Sequence, residues 1–149
     1  MFDIDIKGIE VVATSEMLHR EYKDKNKGTR IHYERDVKVN VFFWRFKICN
    51  GDFYGLAFVK STLQDFIQFY SRRSNKAGSH IELKEELCRE VEPYGKQSLS
   101  FVARQKAKEH YLHVSFQSGG KTIDDVYLNI RDVKMLDIAL GKAISVLTP

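Results

Sequence analysis

The segment LAFVKSTLQDFI at residues 56–67 and the segment LNIRDVKMLDIA at residues 128–139 decide the expected fold. Each predicts a short apolar strand that runs directly into a helix, and the two coincide at an offset of 72 residues (128 − 56 = 72). That offset pairs large apolar residues with one another and also pairs Asp65 with Asp137. The two halves of the chain are therefore predicted to be repeats with similar endings.

Alternating apolar residues, typical of strands, precede each ending. In the first half, strands are predicted at 1–12 with a break near Gly8, at 31–35, at 37–48 and at 52–59, with a charged turn at 21–30; in the second half they are predicted at 80–91, 99–105, 111–117 and 125–131. Asn50-Gly51 separates two of these runs, and this dipeptide favours the tight turn of a β-hairpin. Helices are predicted from Ser61 or Thr62 to about residue 73 and from Val133 to about residue 147.

Four strands followed by a helix, twice over, predict an α+β fold in which two antiparallel sheets are each backed by a helix. The length of 149 residues suits a single domain. Its two repeats are expected at about 1–74 and 80–149, joined by a basic connection at 71–79 (SRRSNKAGS).

The composition indicates a folded, mildly basic protein. Apolar residues make up 43% and charged residues 30%, which argues against a disordered chain. Lys and Arg number 24 against 20 Asp and Glu, an excess that suits a polyanionic partner without requiring one. No run of about 18 apolar residues occurs, and the first six residues are acidic and alternating, unlike a signal peptide. We therefore expect a cytoplasmic protein with no membrane partner.

One face of the predicted sheet in the second half mixes aromatic rings with cations and carries few acids. Single-stranded nucleic acid is bound by this mixture, since bases stack on rings while Lys and Arg neutralise phosphates. The expected stacking residues are Tyr111, His113 and Tyr127, with Tyr54 as a further ring in the first half, and the expected phosphate contacts are Arg45, Lys47, Arg104, Lys106 and Arg131. Outward Tyr residues are also ordinary in strands, so a plain solvated face stays open as the alternative.

The predicted first hairpin is apolar on both faces. With a two-residue loop at Asn50-Gly51, Trp44 and Phe46 lie beside Ala57 and Gly55, where they would form an interface, stack on a base or simply pack in the core. A protein-interaction or regulatory module that docks through residues 42–48 is therefore the second functional reading.

Catalytic and metal-binding motifs are missing from the sequence. The sequence contains no phosphate-binding glycine loop, no GxSxG and no HExxH, so neither an enzyme nor a cofactor is expected. His110 and His113 would point to opposite faces of one strand and could not share a metal ion. The acidic residues Glu82, Glu85 and Asp125 leave a metal-dependent nuclease as a third and weaker reading, with a solvated acidic face as the simpler one.

The duplicated order of four strands and a helix, with VYLNI at 126–130 leading into MLDIAL at 135–140, resembles the Whirly and PUR-repeat group of single-stranded nucleic-acid-binding proteins. The resemblance concerns topology over nearly the whole chain and matches no family-specific motif. It implies paired sheets backed by helices, nucleic acid crossing exposed β surfaces, and assembly into a homo-oligomer. Compact phage and bacterial single-strand binders are similar in size.

These observations together predict a single-stranded DNA-binding protein with low sequence specificity. Binding of RNA stays open. The protein is expected to be non-catalytic and to act without a small-molecule substrate.

Overall fold

The structure is a computed structural model that describes residues 1–73, 83–93 and 95–147. The elements are β1 (Phe2–Ile6), β2 (Ile9–Asp24), β3 (Gly28–Phe43), β4 (Phe46–Cys49), α1 (Phe53–Arg73), β5 (Lys84–Val91), β6 (Gly95–Lys106), β7 (Glu109–Ser118), β8 (Lys121–Leu128) and α2 (Ile130–Leu147). Sheet A has the strand order β1-β2-β3-β4 and sheet B the order β5-β6-β7-β8, both antiparallel. The expected α+β arrangement, two four-stranded antiparallel sheets each followed by a helix, is confirmed.

The inner faces of the two sheets and the two helices share one hydrophobic core. Phe43 of sheet A meets Phe101 of sheet B edge to face, with ring centroids 5.9 Å apart, and Phe46 meets Phe116 at 6.1 Å. The helices pack against each other, and α2 contacts strands of both sheets. The sheets are therefore joined through aromatic contacts as well as through the helix layer.

The predicted hairpin turn at Asn50-Gly51 is wrong. Strand β3 turns into β4 earlier, at Trp44-Arg45, so that Phe43 and Phe46 face each other across a two-residue turn. Trp44 has a φ of 58°, in the left-handed region that bulky residues rarely adopt. Asn50-Gly51 instead ends sheet A and leads into α1.

The predicted strand at 52–59 is also wrong, because α1 begins at Phe53. The backbone N–H of Gly55 donates to Oδ1 of Asp52 at 2.9 Å, which caps the helix. Gly55 allows this close approach, since a Cβ there would lie 2.6 Å from Oδ2 of Asp52. Leu56 and Val59 are fully buried. Together with Leu63 they lie on one face of a helix, which therefore begins two turns earlier than predicted.

The two helices align at an offset of 77 residues (133 − 56 = 77), not at the predicted 72. This offset pairs the buried residues Leu56 with Val133 and Leu63 with Leu140. It also pairs the caps, because Asn129 Oδ1 accepts from the N–H of Asp132 at 2.8 Å just as Asp52 does from Gly55. The offset of 72 fails because it matches residues inside α1 to the end of β8.

An ion pair joins equivalent positions of the two helices. Lys60 Nζ lies 2.7 Å from Oδ1 of Asp137, and both side chains are largely buried, with 25% and 19% of their surface exposed. The two residues differ by the same 77 positions (137 − 60 = 77) that align the buried faces. The Lys60–Asp137 pair therefore lies where α1 and α2 pack together.

Strands β2 and β3 extend far beyond the core as a two-stranded arm, residues 14–38. The pairing continues without interruption from Thr14 opposite Lys38 to Asp24 opposite Gly28, a span of about 35 Å at 3.4 Å per residue. Nearly all arm side chains are exposed. Only residues 25–27 form the turn that was predicted over 21–30, and the strand predicted at 31–35 is part of β3.

The predicted connection between the repeats lies mostly outside the described residues. Residues 71–73 complete α1, residues 74–82 lie outside the described residues together with the predicted start of the next strand at residue 80, and β5 spans Lys84–Val91. Within the described ranges, neither helix has the length and apolar character needed to cross a membrane.

Candidate nucleic-acid interface

Outward-facing residues of β6, β7 and β8 form one group on the outer face of sheet B. Arg104 lies opposite Tyr111 in the β6–β7 register, and His113 lies opposite Tyr127 in the β7–β8 register. Lys106 ends β6 on the same face. We refer to Arg104, Lys106, Tyr111, His113 and Tyr127 as the aromatic–basic cluster. The expected grouping of these five residues on one face is therefore what the strand registers produce.

His113 is held at both of its ring nitrogens. The Nε–H of Arg104 donates to Nδ1 at 3.0 Å, so Nδ1 acts as an acceptor and carries no proton. The other nitrogen, Nε2, lies 2.8 Å from Oδ2 of Asp125 and donates to it. Both bonds fit the neutral Nε2–H tautomer. Together they fix the plane of the imidazole ring.

Tyr127 lies between His113 and Lys106. Its ring is stacked on the imidazole of His113, with centroids 4.2 Å apart and planes 4° from parallel. Lys106 Nζ lies 3.7 Å from the centroid of the same ring, a cation–π contact. An imidazole and an ammonium group at these distances cannot share one face, so they cover opposite faces. The face of Tyr127 that a base would need is thus occupied by the flexible, exposed side chain of Lys106.

Two carboxylates lie within this group of residues. Tyr111 donates its hydroxyl proton to Oε2 of Glu109 at 2.6 Å, and this hydrogen bond raises the pKa of Tyr111 above its usual value. Asp125 is the partner of His113. Glu109 and Asp125 therefore balance the charges of Arg104 and Lys106. The expectation of few acids on this face is wrong at the cluster itself.

Four of the predicted contact residues lie on other elements than the cluster. Arg45 is exposed in the β3–β4 turn, and Lys47 is exposed on β4 with Nζ 5.9 Å from the ring centroid of Phe42. Tyr54 is 74% exposed in the first turn of α1, and Arg131 is exposed in the first turn of α2. Tyr54 and Arg131 were expected on strands, but both lie in helices that begin just before them, capped by Asp52 and Asn129.

The apolar hairpin at residues 42–48 is mostly core. Phe43, Phe46 and Ile48 are at most 2% exposed, so Phe46 does not offer a ring to a ligand. Trp44 is half-buried and packs against the core, with its Nε1 close to the Gly8 turn. Phe42 is half-buried on the outer face of sheet A. Little of this hairpin is thus free to dock a partner.

The arm is a second aromatic and basic region, which the sequence reasoning missed. Tyr22, Ile31 and Tyr33 are 51%, 49% and 64% exposed. His19 and Tyr33 approach each other with ring centroids 6.3 Å apart but at an oblique 41°. The cations Arg20, Lys23, Lys25, Lys27, Arg30, Arg35 and Lys38 outnumber the acids Glu16, Glu21, Asp24, Glu34 and Asp36. Gly28 and the lysine-rich turn before it are the only sequence signals for this long hairpin.

Arg89 is the other residue that sequence reasoning missed. It occupies an inward position of β5, between the apolar residues Leu87 and Val91. A single cation in the alternation LxRxV is the signal that could have marked it.

Metal chemistry has little support in the described ranges 1–73, 83–93 and 95–147. No three His, Cys, Asp or Glu side chains there are placed to hold a metal ion. His110 is in edge contact with Phe69, whereas His113 lies on the outer face of sheet B. Of the acids considered for a nuclease, Glu82 lies outside the described residues, and Asp125 is bonded to His113.

Comparison with known proteins assigns the chain to no class. No protein-family model matches it, and no curated protein sequence matches it. The geometry of the aromatic–basic cluster is therefore the basis for a proposed function.

Proposed function

We propose that this chain binds single-stranded nucleic acid, DNA foremost, through the aromatic–basic cluster on the outer face of sheet B, with low sequence specificity and without catalysis. The observation that supports this function is the direct contact of rings and cations: Tyr127 carries His113 on one face and Lys106 on the other. Base stacking uses ring faces, and phosphate binding uses cations at the edges of those rings.

Lys106 is the side chain that must move for a base to bind. Its ammonium group covers the free face of Tyr127 but is exposed and has a long flexible stem. An incoming base would take its place on the ring, and the displaced ammonium group would contact the adjacent phosphate. Arg104 is anchored to His113 by a hydrogen bond and would keep the imidazole in plane while its remaining donors contact the strand.

The near balance of charge at the cluster predicts moderate affinity. Arg104 and Lys106 are opposed by Glu109 and Asp125, so the cluster alone neutralises few phosphates. Assembly into a homo-oligomer, which the topological resemblance to Whirly and PUR-repeat proteins implies, would multiply the number of such faces. We propose that the chain is related to Whirly and PUR-repeat proteins in its topology only. A cytoplasmic location would suit this function.

A salt titration tests this function. Anisotropy of a fluorescent oligothymidylate should report binding at about 50 mM salt, and the affinity should fall as salt is raised. Replacing Arg104 and Lys106 by Gln should flatten the log–log salt dependence by about 1.4, since each lost phosphate contact on a single strand contributes about 0.7. An affinity that is absent at low salt, or indifferent to salt, would overturn the proposal. An oligoribonucleotide of equal length compares RNA with DNA.

A tyrosine pair tests the stacking surface. Tyr127→Ala should weaken binding roughly 5- to 150-fold, the equivalent of about 1–3 kcal/mol for one stacked base. Tyr54→Ala is the matched control, because Tyr54 is 74% exposed on α1 and belongs to no part of the cluster. Equal affinities of the two variants would remove the cluster from the proposal. Incubation of the same oligonucleotide with magnesium should leave it intact, whereas its degradation would favour a nuclease.

A further inference from the structure

A cleft of about 380 Å³ lies where the β3–β4 turn of sheet A meets sheet B. Its polar lining comes from Arg45, Arg89, Gln97 and Ser118, and its apolar lining includes Phe116 and Ile123. The cleft is separate from the aromatic–basic cluster, since Ser118 lies five residues along β7 from His113, roughly 17 Å at 3.3 Å per residue. It is therefore a separate candidate site.

Arg89 has an unusual environment for a cation. Its guanidinium carbon lies 3.9 Å from the ring centroid of the buried Phe46, and Nη1 donates to the carbonyl oxygen of Lys47 at 2.8 Å. Its Nε is buried and has no hydrogen-bond partner. No carboxylate within the described ranges forms an ion pair with it. A half-buried guanidinium is thus held in place by Phe46 and Lys47, with no carboxylate of the described residues at ion-pair distance.

Leaving such a group uncompensated costs free energy, because burial removes the water that would solvate the charge. The same burial lowers the pKa of the Arg89 guanidinium, although the negative charge of Asp52 opposes this effect. A guanidinium offers five N–H donors in one plane, which suits the oxygens of a phosphate or carboxylate. Arg45, in the β3–β4 turn of sheet A, adds a second guanidinium to the same cleft.

We propose that this cleft binds the phosphate group of a nucleotide, with Arg89 and Arg45 as its cationic ligands and Gln97 and Ser118 as hydrogen-bonding partners. The exposed apolar side chain of Ile123 would cover the attached base or sugar, and a volume near 380 Å³ is in the range of small-ligand sites. The phosphate would come from a free mononucleotide or from the 5′ end of a strand. The site does not depend on the function proposed for the outer face of sheet B.

The test uses Trp44, the single tryptophan of the chain, which precedes Arg45 in the same turn. Thymidine 5′-monophosphate and inorganic phosphate should each change its fluorescence in a saturable way, whereas thymidine should not. Arg45→Gln should weaken nucleotide binding about tenfold or more, as expected for loss of a charged hydrogen bond. Arg20→Gln, an exposed arginine of the arm, is the matched control and should leave the affinity unchanged.

Arg89→Gln should abolish binding, and its thermal unfolding reports whether the variant folds. Arg45 lies in an exposed turn, so Arg45→Gln tests the site even if Arg89→Gln does not fold. Failure of both phosphate probes at about 10 mM, equal binding of thymidine, or an unchanged affinity in Arg45→Gln would each overturn the site.

Two oligonucleotides then identify the source of the phosphate. A strand with a 5′-phosphate that binds more tightly than its 5′-hydroxyl counterpart, with the difference lost in Arg45→Gln, assigns the cleft to strand ends. Equal binding of the two strands, together with mononucleotide binding, assigns the cleft to free nucleotides. Because Tyr127→Ala affects only the cluster, failure of the cleft and failure of the outer face give different results.

Discussion

Sheets A and B have the same number and order of strands but use their length differently. Among the described residues of sheet B no strand exceeds 12 residues, and the outer face of the sheet brings rings and cations into direct contact. In sheet A, β2 and β3 each have 16 residues, and beyond the core they pair only with each other. The shared strand order thus determines the part of each sheet that packs in the hydrophobic core. It leaves the exposed parts free to differ.

The comparison also separates two kinds of aromatic surface. The rings of the aromatic–basic cluster are held by hydrogen bonds and by stacking at 4.2 Å, whereas His19 and Tyr33 of the arm are 6.3 Å apart and oblique. Ordered rings lose less conformational entropy when a base stacks on them. This difference is why the outer face of sheet B, rather than the arm, is the proposed site.

The largest expected effect comes from breaking the contact between the sheets. Phe101 is fully buried and contacts both Phe43 and Phe58, so Phe101→Ala should destabilise the protein by about 3–5 kcal/mol. Urea unfolding measures the change. Phe53→Ala is the control, because Phe53 is 51% exposed and its removal should cost less than about 0.5 kcal/mol. A loss below about 1 kcal/mol for Phe101→Ala would mean that the sheets do not share a core.

A smaller effect is expected at the junction of the helices. Lys60→Met should cost about 1.5–3 kcal/mol, because it leaves the largely buried carboxylate of Asp137 without its charged partner. The double variant Lys60→Met/Asp137→Leu should recover most of that loss, since no unpaired charge remains. A double-mutant cycle measures the coupling free energy. Additive effects would show that the ion pair contributes nothing.

Removal of the arm should have little effect on stability. Ala13 and Val39 face each other at the base of the arm, so residues 14–38 can be replaced by Asn-Gly to close a short hairpin. The free energy of unfolding should change by about 1 kcal/mol or less, because an isolated two-stranded ribbon is marginally stable. Oligonucleotide binding should persist. A loss of affinity above about tenfold would move the main binding surface from sheet B to the arm.

The smallest expected effect is at the edge of the cluster. Glu109 accepts a hydrogen bond from the hydroxyl of Tyr111, and this bond raises the pKa of Tyr111. Glu109→Gln should therefore lower the pKa of Tyr111 towards the usual value near 10. The raised pKa stabilises the folded protein below the unfolded pKa, and this contribution is lost as the pH rises through the folded pKa. Ultraviolet absorbance titration of the tyrosines measures the shift. Glu16→Gln on the arm is the control, and an equal titration of the two variants would contradict the hydrogen bond.

Much of the fold could be predicted from the sequence, because apolar alternation and helical spacing report burial directly. The outward positions of Tyr111, His113 and Tyr127 follow from the strict alternation around Leu112 and Val114. The predicted α2 was three residues short at its start, where Asn129 caps the helix. The element order was correct because each four-stranded sheet must bury one face against other elements, and a helix following the sheet can supply that cover.

The errors arise where short-range signals compete. Asn50-Gly51 favours a hairpin turn, but Asp52 just after it caps a helix, and the buried spacing of Leu56, Val59 and Leu63 decides in favour of the helix. The arm was missed because both of its faces are exposed, so burial imposes no alternation on it. Contacts of Arg89 with Phe46 and Lys47 join residues more than 40 positions apart, which no local pattern reports.

The ion pair between Lys60 and Asp137 has a consequence for how the two units of four strands and a helix can associate. The two positions are equivalent in α1 and α2, and they touch across the helix contact. If two copies of the first unit packed through α1 in the same way, Lys60 would face Lys60. If two copies of the second unit packed through α2, Asp137 would face Asp137. Like charges a few ångströms apart in a largely buried position repel strongly. The ion pair therefore favours packing of the first unit against the second and disfavours packing of either unit against its own copy.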